Sequence, residues 1–240
     1  MCIDELNKGG MLVLVDPDIK FKIPPGELAK LFSNAGVRAI LVGGSTYGEV
    51  NFDEFVREIR THASVPIIIF PGNAMHVSQY ADAILFTSLI SGRNPQFLIE
   101  EQVRAAPIIK KLGIEVIPTG YLLVDGGSFT SVLYKSHTLP IPREKYELAK
   151  YHALAAQYLG MKFVYFDTGS GAKLTVPDEM IRSVKEYISI PLIVGGGITT
   201  KEEAKKKFES GAHLIVVGSA IEREPDRVYE FVESYREIKE

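Results

Sequence analysis

Asp16, Asp167 and a set of glycine-rich turns are the residues of this chain whose types and spacing could carry chemistry, and each follows a short apolar run. The runs end in Asp16-Pro17-Asp18, Gly43-Gly44-Ser45, Asp167-Thr168-Gly169-Ser170-Gly171, Gly195-Gly196-Gly197 and Gly218-Ser219. Backbone N–H groups reach a phosphate only where no side chain blocks the approach, so the glycines of the last three turns read as one shared phosphate cradle. A plain tight turn between strand and helix is the alternative for Gly195-Gly196-Gly197. Asp16 ends a buried run, where an ionised carboxylate needs a cation or hydrogen-bond donors. Mg²⁺ would satisfy it, because Mg²⁺ takes oxygen ligands, keeps several waters and uses few protein groups beside substrate phosphates; Asp16 with the Ser45 hydroxyl would suffice. Asp18 is an alternative ligand, and Asp-Pro-Asp is also a turn and helix-cap pattern. Asp167, next to the cradle, is a candidate general base. Tyr165, two residues earlier, shares its side of a strand and either binds substrate or fills the interior.

Eight apolar runs must position these residues: Met11 to Asp16, Ala39 to Gly44, Pro66 to Gly72, Ala83 to Ser88, Glu115 to Val124, Lys162 to Thr168, Pro191 to Gly197 and Leu214 to Ser219. Their hydrophobicity is continuous rather than alternating, as in parallel strands buried on both faces. Helical spacing, with prolines opening and glycines closing several segments, predicts helices over Pro24–Gly36, Phe52–His62, Pro95–Gly113, Pro142–Gly160, Pro177–Ile188, Thr200–Gly211 and Pro225–Ile238. The stretch Asn73–Ala81 is too short for more than two turns. Eightfold alternation without a linker predicts one domain over 1–240, an α/β single (β/α)₈ TIM-type barrel with a short or irregular helix after the third strand. In such barrels the site forms at the strand C-termini, and a phosphate sits at strands seven and eight.

The charge balance, 27 basic against 30 acidic side chains, excludes a bulk attraction to nucleic acid. A single cysteine, Cys2, excludes an intramolecular disulfide and cysteine-based zinc, and fits a reducing cytoplasm. No run approaches the roughly 20 apolar residues of a membrane span, and the first residues do not read as a secretory signal. The histidines His62, His76, His137, His152 and His213 lack ligand spacing and read as structural or surface residues. Lys201–Lys207 reads as a solvated helix face. The aromatic helix face of Tyr229, Phe231 and Tyr235 is either an interface or packing against the barrel, and reads better as packing.

Val13–Lys20 (VLVDPDIK), Leu41–Ser45 (LVGGS), Phe86–Pro95 (FTSLISGRNP), Tyr165–Ala172 (YFDTGSGA) and Ile193–Ile198 (IVGGGI) together resemble the geranylgeranylglyceryl phosphate synthase family, in order and over nearly the whole chain. The GSGA ending, and the absence of a lysine two residues before Asp16, are similar to the second of its two groups. The resemblance implies Mg²⁺-dependent transfer of a prenyl group from geranylgeranyl diphosphate to the 3-hydroxyl of sn-glycerol 1-phosphate, with release of diphosphate, the first ether bond of archaeal membrane lipids. By carry-over, Asp16 and Ser45 bind Mg²⁺. Tyr165, Phe166, Asp167, Thr168, Gly169, Ser170, Gly171, Gly196, Gly197, Gly218 and Ser219 hold glycerol 1-phosphate, and Asp167 accepts the hydroxyl proton. The family's usual residue at position 167 is glutamate, one methylene longer than this aspartate; a backbone shift or bridging water could compensate. Arg93 and Asn94 either touch the diphosphate or order the strand-four loop. The prenyl groove is expected near Tyr121 and the aromatic stretch Phe129–Tyr134. The resemblance also implies a cytoplasmic homo-oligomer with at most peripheral membrane contact. Two other readings share the phosphate cradle: a sugar-phosphate barrel enzyme, which has no need of Asp16 and Ser45, and a non-catalytic binder of a phosphorylated metabolite.

Overall fold

In the computed structural model, which describes residues 1–44 and 51–239, eight parallel strands close into a barrel in sequential order. They are β1 Gly10–Val15, β2 Ala39–Val42, β3 Ile67–Ile69, β4 Ala83–Leu89, β5 Glu115–Leu123, β6 Phe163–Asp167, β7 Leu192–Gly195 and β8 Leu214–Val217. Pairing of Gly10 with Leu214 closes the circle. The strands read as unbroken apolar runs because each serves two cores. Alternate residues such as Leu12, Leu41, Ile68 and Tyr165 fill the barrel, while Val13, Ile40, Ile67 and Phe166 pack under the outer helices. Each fully buried side chain of this kind contributes about 1.5–3 kcal/mol over its exposed state.

The helices are α1 Cys2–Leu6, α2 Pro25–Ala35, α3 Phe52–His62, α4 Glu101–Leu112, α5 Ser131–Ser136, α6 Tyr146–Tyr158, α7 Asp178–Lys185, α8 Lys201–Glu209, α9 Ser219–Arg223 and α10 Val228–Lys239. The boundary residues act as their types dictate. Gly36 and Gly113 end α2 and α4 in left-handed conformations, and Thr200 with Glu203 forms a capping box on α8. The sequence pattern did not reveal α1, which plugs the far end of the barrel with Cys2 and Leu6. Its first N–H groups are held by Glu115, at 2.6 Å from Cys2 and 3.0 Å from Ile3. Burial, then the Glu115 charge, pushes the Cys2 thiol up to about 12, leaving it inert.

Three boundaries differ from the sequence expectation. Helix α6 starts at Tyr146 rather than Pro142, because Ile141 is held extended against Val124 and the Arg143 guanidinium serves the Asp125 and Thr175 carbonyls at 2.8 Å. A wide π turn, Gln96–Glu100, precedes α4. Among the described residues no helix joins β3 to β4. There the Asn73 side chain takes the Met75 N–H at 2.7 Å and Glu101 takes that of Ala74 at 2.6 Å, so local turns replace a helical ladder. The Lys201–Lys207 face also needs correction at its end: Lys207 is buried, with its ammonium 2.5 Å from Asp178 and 2.7 Å from the Val176 carbonyl. Of the aromatic face on α10, Phe231 is fully buried and Tyr235 packs on Phe208 and donates to the Lys8 carbonyl, whereas Tyr229 is exposed, so the packing expectation is corrected there.

Candidate active site

The strand C-termini open into two adjoining depressions. The first is built from the ends of β6, β7 and β8, and includes Tyr165, Asp167, Ser170, Gly171, Gly196, Gly197, Gly218 and Ser219 in its wall. The β6 and β8 turns meet here, with the Ser170 and Ser219 hydroxyls 3.4 Å apart. Gly171, Gly196 and Gly197 have positive φ of 70°, 81° and 70°, which accounts for glycine at each. Lys173, Thr199 and Arg223 add polar groups to the wall, beside the apolar Leu14, Ala172, Ile198 and Val216. The sequence reading missed all three; Arg223 could have been found as the cation one turn into the short helix that follows the β8 glycine.

The other predicted members of this set behave differently. Phe166 faces the outer helical layer, away from the mouth. Thr168 is buried, its hydroxyl has no hydrogen-bond partner, and it lies behind Gly196 rather than in the wall. The Gly169 N–H donates to Asp167 Oδ1 at 2.8 Å, so it orients the carboxylate instead of reaching a phosphate. Asp167 is buried, and Tyr121 Oη donates to its Oδ2 at 2.6 Å. Burial raises its proton affinity above the ordinary aspartate range; the Tyr121 hydroxyl, then the Gly169 and Thr168 N–H groups, pull it back. Tyr165 fills the interior and also borders the first depression, stacking edge-on to Tyr121 with ring centroids 5.4 Å apart.

The second depression is a mostly apolar groove. It starts at Asp16, Gly44 and Asp167, passes Phe70 and Tyr121, and continues along Phe86, Phe97 and Ala105 between β4 and α4. The connection without a helix after β3 leaves this passage open, and Pro71, Asn73 and Ala74 form one bank. Of the stretch 129–134, Val132 lines the groove, whereas Phe129 and Tyr134 are 75% and 69% exposed, so the aromatic part of that expectation is corrected. Asn94 donates to the Ser136 carbonyl at 3.0 Å and Arg93 to that of Gly92 at 2.7 Å; both order the β4 loop.

Asp16 stands on the groove rim, where a Cβ on Gly44 would come within 2.6 Å of its carboxylate. The Asp18 N–H donates to Asp16 Oδ1 at 3.0 Å, and burial holds the carboxyl above its usual range. Glu222 of α9 lines the same rim and is raised first by burial and then by the Asp16 charge. Such desolvated oxygens suit a hard cation such as Mg²⁺. Among the described residues no three His, Cys, Asp or Glu side chains converge, so a cation at Asp16 has few protein ligands. Ser45, the second expected ligand, lies outside the described residues. Asp167 and Ser170 border both depressions, so the carboxylate stands between the phosphate cradle and the apolar groove.

The PcrB family model matches residues 4–235. The geranylgeranylglyceryl phosphate synthase of Pyrococcus horikoshii is 50% identical over 213 residues, 88% of this chain and 83% of that one, and that of Chitinophaga pinensis is 44% identical over 237 residues, 97% and 93%. The crystal structure of (S)-3-O-geranylgeranylglyceryl phosphate synthase from Thermoplasma acidophilum, in complex with its substrate sn-glycerol-1-phosphate, superposes with a TM-score of 0.91 at 36% identity, covering 98% of this chain and 97% of that one. The chain belongs to the PcrB family, and with it to the geranylgeranylglyceryl phosphate synthase family of prenyltransferases.

Proposed function

We propose that this chain transfers the prenyl group of geranylgeranyl diphosphate to the 3-hydroxyl of sn-glycerol 1-phosphate, with Mg²⁺, releasing diphosphate. The observation that carries the reading is the place of Asp167, one carboxylate shared by a phosphate cradle and a long apolar groove. An acceptor anchored by its phosphate at Gly196, Gly197 and Ser219 presents its hydroxyl to Asp167, and a prenyl chain in the groove presents its first carbon from the other side. A sugar-phosphate enzyme has no use for an apolar passage reaching Phe97 and Ala105.

The acceptor's phosphate meets the backbone N–H groups of the glycine turns and the Arg223 and Lys173 cations. Asp16, with Ser45, would hold Mg²⁺, which when bound supplies positive charge that neutralises the departing diphosphate. As the allylic carbon–oxygen bond breaks, positive charge develops on the prenyl carbon beside the rings of Tyr121 and Phe70, where π faces favour it. Asp167 takes the proton as the acceptor oxygen forms the new carbon–oxygen bond. Its raised proton affinity suits this role, and Tyr121 and Gly169 fix both of its oxygens. The walls of Tyr165 and Tyr121 keep water from the developing cation.

Mass spectrometry of products from the two substrates tests the reading. A prenyl glycerol phosphate ether, absent when the acceptor is omitted or Mg²⁺ is chelated, is expected. A prenyl alcohol alone, or transfer that chelation leaves unchanged, would refute it. Replacing Tyr121 by Ala is expected to change donor-length preference, because the ring walls the groove.

A further inference from the structure

Among the described residues that line the groove, Lys135 is the one cation, against the carboxyls of Asp16, Glu101, Asp167 and Glu222. A rim of that sign repels a diphosphate, and a single divalent ion leaves residual negative charge on an allylic diphosphate. A second cation must therefore stand near the first for the leaving group to settle and depart. We propose that the Lys135 ammonium is that cation, binding the diphosphate of the prenyl donor across the rim from Asp16; this rests on the reading of the groove as a prenyl diphosphate site.

The geometry follows a chain of close backbone contacts. The Asp16 carboxylate lies against the Cα of Gly44, and a Cβ on Gly72 would collide with the Gly44 carbonyl oxygen. The Gly72 carbonyl in turn accepts from Lys135 Nζ at 3.0 Å. Asp16, Gly44 and Gly72 follow three neighbouring strands, so the ammonium is about two strand spacings, ~10 Å, along the rim from Asp16. That span admits a diphosphate between them. Lys135 reaches this place from α5, in the connection between β5 and α6, so its half-buried side chain crosses the mouth to the β3 end. His76 adds no second positive charge there: burial, then the Lys135 charge, holds its imidazole below the ordinary range.

Calorimetric binding of inorganic pyrophosphate with Mg²⁺, together with steady-state kinetics on geranylgeranyl diphosphate, tests the proposal in Lys135→Gln and Lys135→Arg. Loss of a charge-assisted hydrogen bond predicts pyrophosphate affinity and donor kcat/KM about 10- to 100-fold lower in Lys135→Gln. Lys135→Arg should recover most of that loss, while acceptor binding and melting temperature stay at the native values in both. Native pyrophosphate affinity in Lys135→Gln would overturn the proposal. So would equal losses in both variants accompanied by lower melting temperature and weaker acceptor binding, the signature of a latch between α5 and the β3 loop. Lysine-dependent pyrophosphate binding in a chain that forms no ether would support Lys135 while refuting the transfer reading.

Discussion

Replacing Gly196 by Ala tests how closely the phosphate cradle and the base are coupled. Gly196 has a φ of 81°, and an added Cβ would stand 2.5 Å from Asp167 Oδ1 and 2.7 Å from the Thr168 backbone nitrogen. Ordinary contact begins at 3.4 Å, so the carboxylate must yield about 0.9 Å, which a carboxylate held on both oxygens can do only by breaking a hydrogen bond. A displacement of about 1 Å at the reacting groups costs roughly 100-fold in rate. The left-handed backbone adds about 1–2 kcal/mol of strain for any non-glycine residue. For a domain of this size that lowers the melting temperature by roughly 2–8 °C. Gly113 is a matched control: its φ is 72°, it ends α4, and nothing lies within 4 Å of an added Cβ. Gly113→Ala should show the melting shift alone, with native kcat/KM for sn-glycerol 1-phosphate at saturating donor. Gly196→Ala should melt lower than Gly113→Ala, because its Cβ also meets the Thr168 hydroxyl and backbone nitrogen, and should lose about 100-fold in rate. A Gly196→Ala enzyme within threefold of native rate, melting like Gly113→Ala, would refute the placement of the base against the cradle.

Three further outcomes follow from the same geometry. Tyr121→Phe keeps the ring but removes the donor to Asp167, so the carboxyl holds its proton to higher pH; the acid limb of kcat/KM should move upward, and an unmoved limb would contradict the base assignment. Because burial raises Asp167 in the folded state, its favourable contribution to stability is present at low pH and lost as pH rises through the folded value. Asp167→Asn should therefore melt above the native chain at neutral pH, with the gap closing on acidification; a lower melting temperature at neutral pH would count against that sign. Lys207→Met removes the buried ammonium from the partly exposed Asp178 and from the Val176 carbonyl and should cost about 1–3 kcal/mol by denaturant titration with kcat unchanged, whereas a loss of turnover in folded protein would give this pair a role the geometry lacks.

The barrel was legible because each strand is buried on both faces, which writes continuous apolar runs into the sequence at even intervals. Short elements were not: α1, α5 and α9 span only five or six residues, less than the two turns over which helical periodicity shows. The carboxylates and glycines at the strand ends could be placed because barrel geometry sends every strand C-terminus to one mouth. The residues that arrive from elsewhere could not. Lys135 and Val132 on α5, Phe97 in the π turn and Arg223 on α9 reach the site through loop conformations that local sequence does not encode. Phe166 stands apart from its motif neighbours, because the strand's alternation turns its side chain toward the outer helices.

The most direct test of the account is diphosphate release from geranylgeranyl diphosphate and sn-glycerol 1-phosphate, with and without Mg²⁺, by the native chain and by Asp167→Asn. Mg²⁺-dependent release by the native chain is expected, with a loss of roughly 100-fold or more in Asp167→Asn, the usual contribution of a general base, and acceptor affinity retained. Release at the native rate by Asp167→Asn, or none by the native chain, would contradict it.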